Sequence, residues 1–199
     1  MEKRKIKNIK DLNKIVDNSK IKGLIFDFDG VITQLPIDYN SLRKALTKYF
    51  LSKYNFENNF TPLNTNLELV KKKLGKKALR EAYKIIKKYE LKSLSKAKLN
   101  KEIINFIKTN SSHKKIALFS MNMHKTIEKF LIKNKLLKYI HLIVAKDNAS
   151  QYKPNPEGLY RILNKLHLNK KEVVFIGDKE IDLETGRAAG IKTVIILNN

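Results

Sequence analysis

The sequence predicts an α/β protein: a parallel five-stranded sheet with helices on both faces, together with a small α-helical cap domain. Short apolar runs alternate along the chain with amphipathic stretches of helical spacing, which is the pattern of a parallel sheet covered by helices. Four of the five apolar runs lie in the second half of the chain. The first run is therefore separated from the second by far more residues than a crossover needs, which predicts an insertion.

The strands are predicted first, from runs rich in Ile, Val, Leu and Phe. They span residues 21–27, 115–120, 142–145, 172–176 and 193–197. Helical spacing predicts helices over 125–134, 156–166 and 181–189, and Gly190 is well placed to end the last one. A short leading helix is expected within residues 8–18.

The insertion is predicted to be a helical cap. Residues 39–53 and 67–90 have helical spacing, the second with an interruption at Gly75, and residues 99–109 are expected to lead back to the sheet. The predicted organisation is an N-terminal helical segment over 1–20, a catalytic core formed by 21–33 and 96–199, and a cap over 34–95.

Composition limits the classes of protein to consider. Hydrophobic residues make up 42% of the 199 residues, as in a globular protein, and there is no cysteine to supply a disulfide, a thiolate nucleophile or a zinc ligand. No apolar run approaches the roughly 20 residues that cross a bilayer, and the charged N-terminus lacks the apolar core of a secretion signal. A cytoplasmic protein without a membrane partner is expected.

The net charge is +23, from 42 Lys+Arg against 19 Asp+Glu. Such a field attracts nucleic acid, acidic membranes or anionic metabolites. The basic residues are spread along nearly the whole chain and only five are arginine, a distribution that also fits biased lysine usage on solvated faces. A nucleic-acid partner is thus possible but is not the favoured interpretation.

Two carboxylates follow the first predicted strand. Because side chains at i and i+2 of an extended segment share a face, Asp27 and Asp29 are expected to leave the sheet side by side, where the chain turns at Gly30. Parallel sheets bind ligands at this edge. Paired acids can divide the work of nucleophile and proton carrier, and a phosphate ester is the natural target.

Two further clusters follow later strands. Ser120, Met121 and Asn122 offer a hydroxyl and backbone amides where a helix begins, which suits a phosphate, although such a serine also serves as an ordinary helix cap. Lys153 is followed by two prolines that restrict the chain just before a helix. An ammonium held in this way can neutralise a phosphoryl oxygen.

The last cluster is Gly177-Asp178-Lys179-Glu180-Ile181-Asp182, which places two aspartates four residues apart at the start of a helix. Acids here also interact favourably with the helix dipole, which is the expected role of Glu180 and Glu184. For Asp178, directly at a strand end, a metal role is favoured, because crowded carboxylates need a compensating cation. Oxygen ligands beside a phosphate favour Mg²⁺.

In this order and on these elements, the four clusters resemble the haloacid dehalogenase superfamily of phosphatases and phosphomutases, over residues 21–199. The resemblance implies a Rossmann-like sheet with a cap inserted after the first motif. It implies that Asp27 is the nucleophile that becomes an aspartyl phosphate, and that Asp29 is the acid/base.

The resemblance also implies the groups that support these two acids. Ser120 matches the phosphate-binding hydroxyl, and Lys153 matches the lysine that bridges phosphate and nucleophile. Asp178 matches a Mg²⁺ ligand, joined by the Asp27 side chain and the Asp29 main-chain carbonyl, while Asp182 and Gly177 match supporting positions. One departure is Met121, which separates the serine from Asn122, where relatives commonly have asparagine directly.

The expected function is a Mg²⁺-dependent phosphatase that hydrolyses small phosphorylated metabolites, as a monomer or weak dimer. The acid at Asp29 favours phosphate transfer over dehalogenation. A phosphomutase acting on a sugar phosphate is the nearest alternative, since it would share every core residue. A nucleic-acid-associated end phosphatase or binder is the alternative from another class.

Overall fold

A parallel six-stranded sheet forms the centre of the protein in the computed structural model, which describes residues 4–6, 8–17 and 19–197. Its strands are β1 (Arg4–Ile6), β2 (Gly23–Phe26), β5 (Lys115–Phe119), β6 (Leu142–Val144), β7 (Val173–Gly177) and β8 (Lys192–Ile196). Their spatial order is β1-β8-β7-β2-β5-β6. Two further strands, β3 (Thr33–Gln34) and β4 (Lys98–Leu99), form a separate antiparallel pair.

The predicted α/β class and parallel sheet are confirmed, but the predicted count of five strands is wrong. The sixth strand is β1, which pairs in parallel with β8 and lies in the segment predicted to be only helical. Its one apolar residue, Ile6, is buried, whereas Lys5 is exposed. An edge strand with a single apolar residue leaves no apolar run to recognise in the sequence.

Helices cover both faces of the sheet. They are α1 (Ile9–Val16), α4 (Lys101–Asn110), α5 (His124–Lys133), α6 (Glu157–Leu166) and α7 (Glu180–Ala189). Successive strand residues point to opposite faces. On one face the Phe26 ring meets Phe106 of α4 edge-on, with 6.3 Å between ring centres. On the other, Ile25 packs in a buried cluster with Leu159 and Ile162 of α6.

The chain divides into two compact units. One comprises the described residues up to Gln34 together with those from Ala97 onward, and the other is Leu35–Lys96. The second unit contains α2 (Tyr39–Tyr54) and α3 (Leu63–Ser93). Gly75 interrupts α3 with φ 81° and ψ 177°, at the position where the sequence predicts a break. Phe50 is the aromatic centre of this unit and stacks on Tyr54, with 5.5 Å between ring centres.

The sheet topology fixes where a site can form. From β2 the chain passes to β5 and β6 on one side and later to β7 on the other, so the strand order reverses beside β2. The carboxyl ends of strands at such a switch point border a crevice in which parallel sheets bind ligands. Within the part of the chain that the structure describes, no helix is both long and apolar enough to cross a membrane.

Candidate active site

Asp27 is the first residue after β2 and is almost completely buried. Its N–H donates to the carbonyl of Ile176 in β7 (2.8 Å), and its carboxylate Oδ1 accepts a hydrogen bond from the N–H of Phe28 (2.7 Å). Burial raises the pKa of the Asp27 carboxyl to about 6, against the opposing effect of the Lys153 ammonium. The negative charge of Asp182 raises it further. The site therefore holds an acid whose ionised form needs nearby positive charge.

The turn after Asp27 presents Asp29. The N–H of Gly30 donates to the carbonyl of Thr33 (2.7 Å), and Gly30 has φ +97°, a conformation that favours glycine. Asp29 is half-buried, and its charge is among those that raise the pKa of Asp178. The two acids of the first cluster thus differ in environment, since Asp27 is the more buried.

Asp178 follows the last residue of β7 and packs against the turn at Gly30. A Cβ atom at Gly30 would overlap the Asp178 carboxylate, so glycine at this position permits the close approach. Oδ1 of Asp178 is buried and has no hydrogen-bond partner among the described residues, while Oδ2 lies 3.8 Å from the ammonium of Lys179. Burial raises the pKa of Asp178, and Lys179 opposes that rise.

Asp182 is fully buried in the first turn of α7, where it accepts hydrogen bonds from other residues of the site. Its Oδ2 accepts hydrogen bonds from the N–H groups of Asp178 and Lys179, both at 3.2 Å. A Cβ atom at Gly177 would overlap the Asp182 side chain, so Gly177 makes room for it. The carboxylate of Asp182 therefore fixes the backbone that carries Asp178.

Lys153 lies between two of these acids. Its Nζ is 2.7 Å from Oδ1 of Asp182 and 3.3 Å from Oδ1 of Asp27. The ammonium also lies over the rings of Phe119 and Phe175, 4.9 and 5.1 Å from their centres. Burial disfavours the charged amine, but the carboxylates of Asp27 and Asp182 outweigh burial and raise the pKa of Lys153. The lysine is therefore a fixed positive charge.

The cluster after β5 forms a small hydrogen-bonded loop. The Ser120 hydroxyl donates to the side-chain oxygen of Asn122 (3.0 Å) and accepts from the Asn122 N–H (3.2 Å). Ser120 and Asn122 are buried, whereas Met121 is half-buried and packs against the apolar cluster of the sheet. Although Met121 separates the two residues in the sequence, the structure brings the Asn122 side chain to the Ser120 hydroxyl.

One candidate near this loop was not predicted. Lys146 lies two residues after β6, is nearly fully buried, and donates its N–H to the carbonyl of Asn122 (2.9 Å). The available signal was a lysine directly after the predicted strand over 142–145, but in a chain with this many lysines that signal is weak. This hydrogen bond places the Lys146 backbone beside the loop.

The acids can hold a cation together. Asp27, Asp178 and Asp182 each offer a carboxylate oxygen, and these oxygens lie within 4.8 Å of one another. Both Asp182 oxygens already accept hydrogen bonds, so Asp27 and the unpartnered Oδ1 of Asp178 are the available side-chain ligands. An all-oxygen set of this kind suits Mg²⁺.

The chain is similar in sequence to a known protein family and to two named enzymes. The model of a protein family described as haloacid dehalogenase-like hydrolase matches residues 24–196. The chain is 26% identical over 180 residues to pyrophosphatase PpaX of Halalkalibacterium halodurans, covering 89% of this chain and 84% of that protein. It is 27% identical over 181 residues to phosphoglycolate phosphatase of Aquifex aeolicus, covering 89% and 85%.

A solved structure has a similar fold. It belongs to a protein from Haemophilus somnus described as a predicted phosphoglycolate phosphatase, and it superposes with a TM-score of 0.62 at 15% identity. The superposition covers 89% of this chain and 85% of that one. At this level of identity the likeness supports the fold alone.

Proposed function

This chain belongs to the haloacid dehalogenase-like hydrolases, and from that premise we propose that it is a Mg²⁺-dependent phosphatase of small phosphomonoesters acting through a phosphorylated Asp27. The observation that carries the proposal is the convergence of Asp27, Asp178 and Lys153 at the edge where the strand order reverses. A nucleophilic carboxylate, a cation site and a fixed ammonium are what in-line transfer of a phosphoryl group needs.

The residues present fit a magnesium ion. The unpartnered Oδ1 of Asp178 and the raised pKa of the Asp27 carboxyl both mark excess negative charge in a buried place. The side chains of Asp27 and Asp178 and the main-chain carbonyl of Asp29 would hold the ion. When bound, it supplies positive charge that keeps Asp27 ionised and lowers the repulsion between carboxylate and phosphate.

The first half of the reaction is transfer to the protein. An oxygen of Asp27 attacks the phosphorus atom, an aspartyl phosphate forms, and the bond from phosphorus to the alkoxide oxygen breaks. Lys153 and the Ser120 hydroxyl hold the non-bridging oxygens of the phosphoryl group in place. Asp29 donates its proton to the departing alkoxide.

The second half regenerates Asp27. Asp29, now ionised, accepts a proton from water, and the water oxygen bonds to the phosphorus of the aspartyl phosphate. The bond between phosphorus and the Asp27 oxygen breaks, inorganic phosphate leaves, and Asp29 is again protonated. We also propose that the helical unit Leu35–Lys96 acts as the cap that excludes bulk water during these steps.

The two similar proteins named above narrow the substrates worth testing. One is named a pyrophosphatase and the other a phosphoglycolate phosphatase, so both compounds belong in a screen beside sugar phosphates and nucleotides. A mutase would return phosphate to an organic acceptor, whereas the proposed hydrolase releases it to water.

The test is release of inorganic phosphate from this panel, with and without Mg²⁺. We expect hydrolysis of at least one small substrate, dependence on Mg²⁺, and loss of activity in Asp27→Asn. Turnover by Asp27→Asn at the rate of the parent would overturn the proposal, as would transfer between positions of a sugar without phosphate release.

A further inference from the structure

A basic surface covers the exposed side of α3 after its break at Gly75. It is formed by seven residues, here called the α3 basic face: Lys76, Lys77, Arg80, Lys84, Lys87, Lys88 and Lys92. We propose that the α3 basic face binds the phosphate backbone of nucleic acid. This inference does not depend on the phosphatase chemistry, because none of the seven residues is assigned a role in the reaction.

The helical period places these seven side chains together. At about 100° per residue, the buried positions of this part of α3, among them Leu79, Ala82 and Ile86, fall on one side of the helix. The seven basic residues fall on the opposite side. From residue 76 to residue 92 they extend over roughly 24 Å at about 1.5 Å per residue. The charge is therefore a continuous stripe and not a scatter of single lysines.

One acid outside α3 interacts with the stripe: hydrogen bonds from Ser41 lower the pKa of Asp38, and the charge of Lys92 adds a smaller effect. The two acids in this part of α3 are Glu81 and Glu90. Glu90 is buried, and Glu81 accepts hydrogen bonds from Lys53 at 2.8 Å and from the hydroxyls of Tyr49 and Tyr54. These bonds lower the pKa of Glu81 to about 2, with Lys53 the largest contributor. The negative charge of Glu81 is therefore already paired with Lys53.

Within the described ranges, the α3 basic face has no ion pair with an acid. Among the residues that the structure describes, no carboxylate lies within salt-bridge distance of any of its seven members. General lysine enrichment does not explain this pattern, because other helices mix their charges. In α5, Lys125 pairs with Glu128 at 2.6 Å, and the exposed positions of α7 include Glu180 and Glu184.

The helical unit Leu35–Lys96 also carries a large share of the positive charge of the chain. Residues 35–96 contain 15 Lys+Arg and five Asp+Glu, so this unit carries +10 of the total charge of +23 with less than a third of the residues. A polyanion is the partner that such a surface fits.

Nucleic acid suits this face better than an anionic membrane. A helix that lies in a membrane surface inserts its apolar side among the lipids. The apolar side of α3 is buried within its own unit, which leaves only the charged side for a partner. Arg80 is the one arginine among the seven, so the face is suited to phosphates and not to forked hydrogen bonds with bases. We therefore expect binding without strong sequence preference.

The test compares two triple charge reversals in the full chain. Lys77→Glu, Lys84→Glu and Lys88→Glu change three exposed members of the face. The control variant combines Lys108→Glu, Lys129→Glu and Lys133→Glu, which are exposed on α4 and α5 and cause the same change in net charge. Binding of a labelled single-stranded oligonucleotide is followed by fluorescence anisotropy over a series of salt concentrations, and circular dichroism checks that both variants fold.

We expect the parent to bind with affinity that falls as salt rises. The α3 variant should lose at least about tenfold in affinity at low salt, and its plot of log affinity against log salt should flatten by about 2, as expected when three phosphate contacts are lost. The control should stay within about threefold of the parent. Equal losses in both variants would overturn the proposal, because they would show attraction by net charge alone.

A second experiment distinguishes nucleic acid from an anionic membrane as the ligand. The same proteins are mixed with vesicles that contain phosphatidylserine. Binding of the parent to vesicles, together with no binding to the oligonucleotide, would overturn the assignment to nucleic acid. Hydrolysis of small phosphate esters is measured in parallel and should be equal in parent and α3 variant, which separates this inference from the proposed activity.

Discussion

The Lys153 ammonium lies 2.7 Å from the Asp182 carboxylate, closer than the 3.3 Å that separates it from Asp27. Asp182 therefore holds the lysine in place, and Asp27 shares it from the other side. A fixed positive charge beside Asp27 that is anchored elsewhere can stay in position while Asp27 forms and breaks bonds. The relationship assigns Asp182 a positioning role, distinct from the acids that would touch the substrate.

Replacing Asp182 should destabilise the whole protein. Asp182→Ala removes three hydrogen bonds from a fully buried carboxylate and leaves the ion pair with Asp27 to hold the buried Lys153. We expect a loss of about 4 kcal/mol in the free energy of unfolding, measured by chemical denaturation. Glu184→Ala, an exposed acid on the same helix, is the control and should change stability by less than about 0.5 kcal/mol. Equal effects of the two changes would contradict this role.

Gly30 and Gly75 allow a test of the contact with Asp178. Both have positive φ, +97° and +81°, but a Cβ atom at Gly30 would overlap the Asp178 carboxylate whereas nothing lies within 4 Å of one at Gly75. Both alanine variants should lose stability through backbone strain, of the order of 1 kcal/mol. Gly30→Ala should in addition displace Asp178 and lower kcat/KM by about 100-fold. A similar drop for Gly75→Ala would show that strain alone accounts for the effect.

Magnesium affinity should depend on pH in the acid range. Because burial raises the pKa of the Asp27 carboxyl to about 6 in the metal-free protein, an ion must displace a proton from it at lower pH. We expect affinity measured by titration calorimetry to be nearly constant above about pH 7 and to fall, by up to about tenfold per pH unit, below about pH 6. Equal affinity at about pH 5 and about pH 8 would contradict a role of Asp27 as a ligand.

Lys179 should weaken metal binding. Its ammonium lies 3.8 Å from Oδ2 of Asp178, where it repels a second cation, although its side chain is more than half exposed. Lys179→Thr should therefore bind Mg²⁺ more tightly by up to about fivefold, the modest size of an exposed charge interaction. Lys171→Thr changes the same charge at the opposite end of β7 and should leave affinity unchanged. Weaker binding in Lys179→Thr would refute the prediction.

The sequence predicts the parts of this protein that bury many side chains. The strand over 172–176 consists of residues that are almost all buried, and the observed β7 matches it within one residue. β1 escaped prediction because Ile6 is its one apolar residue, and β3 and β4 because each has two residues. Short edge strands depend on partners far along the chain, which local periodicity does not reveal.

For the candidate site, the sequence predicts which residues meet but not how they share contacts. The strand ends brought Asp27, Ser120 and Asp178 to one edge, as expected from the order of their clusters. The shorter distance from Lys153 to Asp182 than to Asp27 arises from tertiary packing, which the local sequence pattern does not show. The sequence does not single out Lys146, because lysine is frequent along the chain and the sequence does not show which lysines are buried.

The proposed function requires that Asp27 becomes covalently bonded to phosphorus. The most direct measurement is intact-mass and peptide mass spectrometry of the protein quenched in acid during turnover, using the parent, Asp29→Asn and Asp27→Asn. We expect a gain of one phosphoryl group on the peptide that contains Asp27. The phosphorylated fraction should be larger in Asp29→Asn, because hydrolysis of the aspartyl phosphate is slowed, and absent in Asp27→Asn. Phosphate found on another residue, or full turnover by Asp27→Asn, would contradict it.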